Sequence, residues 1–169
     1  MRSLLTLFFI AAAVFLGSQF VQAQSKTIVL VRHAEKDTST GADQADPVLS
    51  PAGVERAKRL VDKIKKYRVG AVYSTNYRRT RDTAEPAAQS RRKTVQIYDA
   101  RKPEELIDQM MKSTTKRFLV VGHSNSTPQL VNLLAKKELF KSLDDTEYSV
   151  IWIVRMRDGN VRRVEILQY

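Results

Sequence analysis

The sequence predicts a three-layer α/β/α sandwich on a mostly parallel sheet with an antiparallel C-terminal edge. Three observations carry that prediction. Short apolar, β-branched runs recur along the chain, and amphipathic helical patterns alternate with them. The last two strand-like runs flank Asp158-Gly159-Asn160, a strong hairpin signal. A chain of 169 residues suits one domain. Hydrophobic residues at 43% and charged residues at 28% argue for a packed core rather than a disordered chain. The absence of cysteine excludes disulfides, zinc fingers and thiolate catalysis, and with only 2 histidines a histidine-rich metal site is hard to build; no cofactor is expected.

The first segment reads as an address. Met1-Arg2 is a short positive start, Leu4 to Leu16 is apolar apart from Thr6, and Val21-Gln22-Ala23 has the small residues of a cleavage site. The apolar run is short of the about 20 residues that a full membrane span needs. Residues 1–23 are therefore expected to be a cleaved signal peptide and residues 24–169 a single domain, periplasmic or secreted. The alternative is a chain anchored in the membrane by an uncleaved signal.

Thr27-Ile28-Val29-Leu30-Val31 then suits a strand buried on both faces. Arg32 to Ser50 is polar and reads as a long loop. Ser50-Pro51 starts a helix, since Ser caps and Pro fits the first turn, and Val54, Ala57, Leu60, Val61 and Ile64 recur at helical spacing. Val69 to Tyr73 is a second strand. Tyr77 to Gln89 reads as a helix that Pro86 should bend or end. A third strand runs from Thr94 to Tyr98, a helix from Pro103 to Lys112, and a fourth strand from Phe118 to Val121. A further helix begins near Pro128, before strands at Tyr148 to Met156 and Val161 to Leu167.

In open α/β sheets, ligands bind beyond the carboxyl ends of the strands. His33 follows the first strand and His123 the fourth. Ser74, Thr75 and the cluster Arg78-Arg79-Thr80-Arg81 follow the second. Parallel strands would bring all of them to one edge, making two imidazoles and several guanidiniums into a pocket for a dense anion such as a phosphoryl group. The chain as a whole carries 29 Lys+Arg against 18 Asp+Glu, which also points to an anionic partner.

These residues resemble the histidine phosphatase superfamily. Val31-Arg32-His33-Ala34-Glu35 is similar to its Arg-His-Gly signature, with Ala34 in the Gly position. Leu49 to Ala57 resembles the Leu-Thr-x-x-Gly-x-x-Gln-Ala stretch that opens the family's first helix. Tyr73 to Glu85 resembles its Ser-x-x-x-x-Arg-Ala-x-Gln-Thr-Ala segment, with Asp82 where Gln is common. Val120-Val121-Gly122-His123-Ser124 matches the second-histidine motif. The resemblance runs from Thr27 to Leu134 and points to the phosphoglycerate mutase-like branch, in the small phosphohistidine phosphatase form without a cap.

The resemblance implies a metal-independent phosphatase, a hydrolase of phosphomonoesters or phosphohistidine. His33 would be the nucleophile and form a covalent phosphohistidine that water hydrolyses. Its other ring nitrogen would be held by a backbone carbonyl. Arg32 and Arg79 would clamp the phosphoryl oxygens, the register of Thr83-Ala84 choosing Arg79 over Arg78 and Arg81. His123 would donate a further hydrogen bond as a cation, and Ser124 and Asn125 would lend donors to the substrate. The general acid is open. Asp99 is the best placed, with a role as helix N-cap ahead of Pro103 as its competing reading, and Glu35, Asp37, Glu104 and Glu105 are rivals. A weak or missing acid would favour good leaving groups such as phosphohistidine.

The expected partner is a phosphorylated small molecule or phosphoprotein. No nucleic acid is expected, because no nucleic-acid motif is present and aromatics are not interleaved with basic runs such as Arg91-Arg92-Lys93. No stable membrane insertion is expected after cleavage. The basic excess would steer phosphorylated substrates or reflect a generally basic surface. Two other functions compete. A phosphomutase would need a lid for which the chain after Leu134 is short, and the other is a non-catalytic anion-binding module.

Overall fold

The computed structural model describes residues 24–169; the expected signal segment, residues 1–23, lies outside the described residues. Six strands form one sheet in the order β3-β2-β4-β1-β5-β6. The elements along the chain are β1 (Ser25–Arg32), α1 (Pro51–Ile64), a 3-10 turn (Lys65–Tyr67), β2 (Ala71–Ser74), α2 (Arg78–Ser90), β3 (Val95–Ile97), α3 (Pro103–Lys112), β4 (Arg117–Gly122), α4 (Ser126–Ala135), β5 (Val150–Arg157) and β6 (Asn160–Gln168). β1 to β4 are mutually parallel where they pair, and β5 runs antiparallel to both β1 and β6.

The alternation of β1 explains the layers. Ile28 and Leu30 face a core that includes Met110 of α3 and Leu130 of α4. Val29 and Val31 face the other core, with Leu60 of α1 and Ala84 and Ala87 of α2. A strand packed on both faces can afford no polar face, hence the continuous apolar run. Trp152 and Phe118 are among the largest fully buried side chains.

Several boundaries differ from the sequence expectation, each for a physical reason. α2 passes through Pro86 and ends at Ser90. The N–H that Pro86 lacks would serve the exposed Asp82, while burial of Ala84, Ala87 and Ala88 holds the helix to the sheet. α4 begins at Ser126, two residues before Pro128, with the Asn125 side chain accepting from Ser126 N. Asp99 does not cap α3: the capping position is Lys102, with no side-chain bond. α1 starts as expected, with Ser50 Oγ accepting from Gly53 N at 3.1 Å.

Gly53 is needed for a close approach. A Cβ there would lie 2.2 Å from the carbonyl oxygen of Glu35. That approach ties the start of α1 to the segment just after His33, where Ser50 N donates to Glu35 O at 2.9 Å. The long β1–α1 connection is thereby pinned at both ends, and Lys36 and Leu49 form an isolated antiparallel bridge across its neck.

Candidate active site

The parallel strands end on one edge, and an open cleft of about 1020 Å³ lies there. Arg32, His33, Thr75, Arg79, Asp99, His123, Ser124 and Asn125 all line it. The two imidazoles stand 5.5 Å apart between ring centroids, edge to face. Arg79 is the inward member of its cluster, for Arg78 and Arg81 do not line the cleft and Arg81 turns to the Asn76 side chain.

His33 is buried beneath the cleft floor, and its Nδ1 lies 2.7 Å from the carbonyl oxygen of Ala34. A carbonyl can only accept, so Nδ1 carries the proton and Nε2 keeps its lone pair. Burial lowers the His33 pKa to about 3, with the charges of Arg32 and Arg79 adding to it and the Ala34 bond opposing it. The ring is neutral at pH 7. Ala34, in the position of a motif glycine, fits because its methyl joins Leu49 and Ala57 in a small buried cluster. Its N–H donates to Thr83 Oγ1 at 2.9 Å, which ties the His33 segment to α2.

His123 differs from the expectation of a cation. Burial, then Arg79 and Arg32, lower its pKa to about 4, so it too is neutral at pH 7. A hydroxyl chain fixes its tautomer. Thr80 Oγ1 donates to the carbonyls of Thr75 and Tyr77 at 3.0 and 2.8 Å, so it accepts the hydrogen of Thr75 Oγ1 at 2.9 Å. Thr75 Oγ1 must then accept from His123 Nε2, also at 2.9 Å. Nδ1 is left as the nitrogen without a proton. Gly122 just before it is packed so closely that a Cβ would lie 2.8 Å from Thr127 Oγ1 and 2.9 Å from the Tyr98 hydroxyl.

The two arginines are held in matching ways. Arg32 donates through one terminal nitrogen to the carbonyls of Asp144 and Glu147 at 2.8 and 2.9 Å. Its guanidinium lies 4.1 Å from the Tyr148 ring centre, and Asp145 approaches its other terminal nitrogen at 4.0 Å. Its Nε is buried with no protein partner among the described residues. Arg79 lies 4.4 Å from the Tyr77 ring and 3.8 Å from Asp46. An aromatic face beside each cation limits its rotation. Sequence reasoning missed Tyr77, Tyr148 and the 144–148 carbonyls. Tyr77 adjoins the arginine cluster and could have been noticed; a carbonyl that grips a side chain leaves no trace in residue identity.

The acid candidates are not brought together. Glu35, Asp37, Glu104 and Glu105 do not line the cleft, and Glu35 is bonded to Arg56 at 2.7 to 2.9 Å. Asp99 does line it, but Arg101 grips its carboxylate at 2.9 and 3.1 Å and lowers its pKa to about 2. At neutral pH it is an acceptor, which departs from the expected role of proton donor. Ser124 and Asn125 sit at the cleft as expected; the Asn125 oxygen is taken by the α4 cap, leaving its amide hydrogens. No group of three or more His, Asp or Glu able to hold a metal occurs among the described residues.

Fold and site together define a phosphoglycerate mutase-like α/β domain with a cationic, two-histidine cleft at its carboxyl edge. Residues 28–102 match the family model of the histidine phosphatase superfamily (branch 1). Among solved structures, the chain is similar to the protein histidine phosphatase SixA complexed with tungstate, at 14% identity and a TM-score of 0.67, covering 84% of this chain and 96% of that one. A mycobacterial glucosyl-3-phosphoglycerate phosphatase matches at 14% identity and TM-score 0.66, covering 86% and 98%. A protein assigned as SixA from Agrobacterium tumefaciens matches at 18% identity and TM-score 0.64, covering 85% and 99%. No curated protein matches the sequence.

Proposed function

We propose that the protein is a metal-independent phosphatase that hydrolyses phosphomonoesters or phosphohistidine through a phosphohistidine on His33. One observation carries this reading. His33 has its Nδ1 proton locked on Ala34 while Nε2, unprotonated at pH 7, shares the cleft with Arg32, Arg79 and His123. That is a nucleophile inside a cationic cage. Nε2 attacks phosphorus as the leaving oxygen or nitrogen departs in line, and the arginines hold the three equatorial oxygens. His123 takes up a proton from solvent at Nδ1 as the dianion enters, hydrogen-bonds a phosphoryl oxygen through it, and returns it to solvent when phosphate leaves. Water then attacks the phosphoryl group on His33, giving phosphate and the neutral imidazole.

Two features refine the substrate class. The Asp99 carboxylate is ionised, so leaving groups that need little protonation, phosphohistidine and aryl phosphates, are favoured over alkyl phosphates. The openness of the cleft to water favours hydrolysis over a mutase. The names of the neighbours, a protein histidine phosphatase and a sugar-phosphate phosphatase, support the same chemistry. Export through the N-terminal segment belongs to the proposal as well.

The test is turnover of para-nitrophenyl phosphate and of phosphohistidine protein in excess EDTA. Turnover with both, together with an alkali-stable phosphoenzyme trapped from wild type and absent from His33→Ala, is the expected result. Turnover that needs added divalent metal, or a phosphoenzyme that persists in His33→Ala, overturns the reading.

A further inference from the structure

The charge of the molecule is divided between the two edges of the sheet. Each parallel strand starts at the edge opposite the cleft, and exposed cations surround those starts. Lys65, Lys66 and Arg68 lead into β2, and Arg91, Arg92 and Lys93 into β3. Lys116 and Arg117 lie at the start of β4, and Lys136 and Lys137 follow α4 at the same level. None of these forms a salt bridge among the described residues. The antiparallel pairing adds Arg157, which stands opposite Ser25. Nine of the 18 acids fall at the other edge, in the 37–46, 99–105 and 144–147 segments, while Asp158 sits at the basic edge beside Arg157.

The chain enters the fold at this basic edge. Gln24 N donates to Asp158 Oδ1 at 2.9 Å, and Asp158 N donates to Gln24 O at 3.1 Å, at the tip of the β5–β6 hairpin. The apolar N-terminal sequence is joined to the fold there.

We propose that the amino edge of the sheet is a docking surface for an anionic phospholipid bilayer, and that it holds the cleft facing away from that bilayer. The cations sit on loop tips around one end of a sheet, a spread that suits a plane of phosphate headgroups. Each basic residue near such a surface strengthens binding by about fivefold. The point of chain entry agrees: while the apolar N-terminal sequence is still attached, it would meet a bilayer at this same edge. A nucleic acid fits less well, because single strands use exposed aromatic platforms. The exposed large aromatic among the described residues is Tyr77, at the cleft.

The experiment is co-sedimentation of the 24–169 chain, which contains the whole sheet and both helix layers, with phosphatidylcholine vesicles with and without phosphatidylglycerol. Binding is read directly, so the result stands apart from any phosphatase activity. Binding only to the anionic vesicles, weakening with added salt, is expected. The triple variant Lys93→Gln, Lys116→Gln, Arg117→Gln should lose about a hundredfold in binding at about fivefold per cation. The double variant Lys36→Gln, Arg101→Gln, at the cleft, should bind as wild type does. No sedimentation of folded protein with anionic vesicles overturns the proposal. So does equal loss in the cleft variant, and so does tighter binding to a single-stranded oligonucleotide than to the vesicles at the same ionic strength.

Discussion

At the carboxyl edge most of the cations that line the cleft are constrained, the exposed Lys36 being the exception. Arg32 is gripped by two carbonyls, Arg79 has Asp46 nearby, and Arg101 is paired with Asp99. At the amino edge the cations are many and exposed, and apart from Arg157, which lies 3.8 Å from Asp158, those named there form no salt bridge among the described residues. The formal charge of +11 therefore describes mostly the edge that lacks the histidines. A buried charge acts through a lower local dielectric, so the buried Arg32 guanidinium would interact with an anion in the cleft far more strongly than an exposed cation would. Overall charge is a poor guide to site charge.

Replacing the proposed nucleophile is the sharpest way to break the comparison. His33→Ala should reduce turnover of para-nitrophenyl phosphate to background. Next, Arg79→Ala should cost on the order of 10²–10³ in kcat, the scale of a lost charge-stabilising group. The amino-edge triple variant should leave kcat/KM for this small substrate unchanged. If it slows turnover as much as Arg79→Ala does, the two edges are not functionally separate.

A smaller effect concerns acid stability. His33 and His123 titrate near 6.5 when unfolded but at about 3 and about 4 in the fold. Between those limits the unfolded chain binds protons that the folded chain refuses. Their contribution to stability is therefore full above about pH 6.5 and declines as pH falls towards 3. Urea midpoints at pH 7 and pH 4.5 should differ more in wild type than in the double variant His33→Gln, His123→Gln. Parallel pH dependence in the two proteins would show that the imidazoles are not held neutral.

The same division governs what could be read from the sequence. β1, the start of α1 at Ser50-Pro51 and the span of α3 were legible because apolar period, cap and proline act within a few residues. His33 and His123 were legible as a pair because strand direction alone sends both to one edge. Tyr148 was not: it reaches Arg32 only because the 136–149 segment folds back, with Leu143 N bonded to Ser124 O at 2.9 Å, and that return has no local signature. The course of α2 past Pro86 was likewise decided by packing against the sheet, which overrode a local breaker. The charge division was present in the sequence all along but needed strand order before loops distant in the chain could be seen to share an edge.

Asp99 gives the finest test, because it stands where the constrained and exposed kinds of cation meet. Its carboxylate holds Arg101, whose side chain is otherwise exposed at the cleft rim. If Asp99 were the proton donor, Asp99→Asn would slow alkyl phosphates far more than para-nitrophenyl phosphate, since only the poor leaving group needs the proton. An ionised Asp99 predicts a different pattern. The amide keeps the Arg101 backbone contact but gives up the charge, so Arg101 is released towards the incoming dianion. KM should then fall by about two- to threefold for both substrates, the size of a modest exposed ion-pair effect, with kcat unchanged for both. Steady-state kinetics on the two substrates at pH 7 separates these outcomes, and a selective loss of kcat on the alkyl phosphate would return Asp99 to the role of acid.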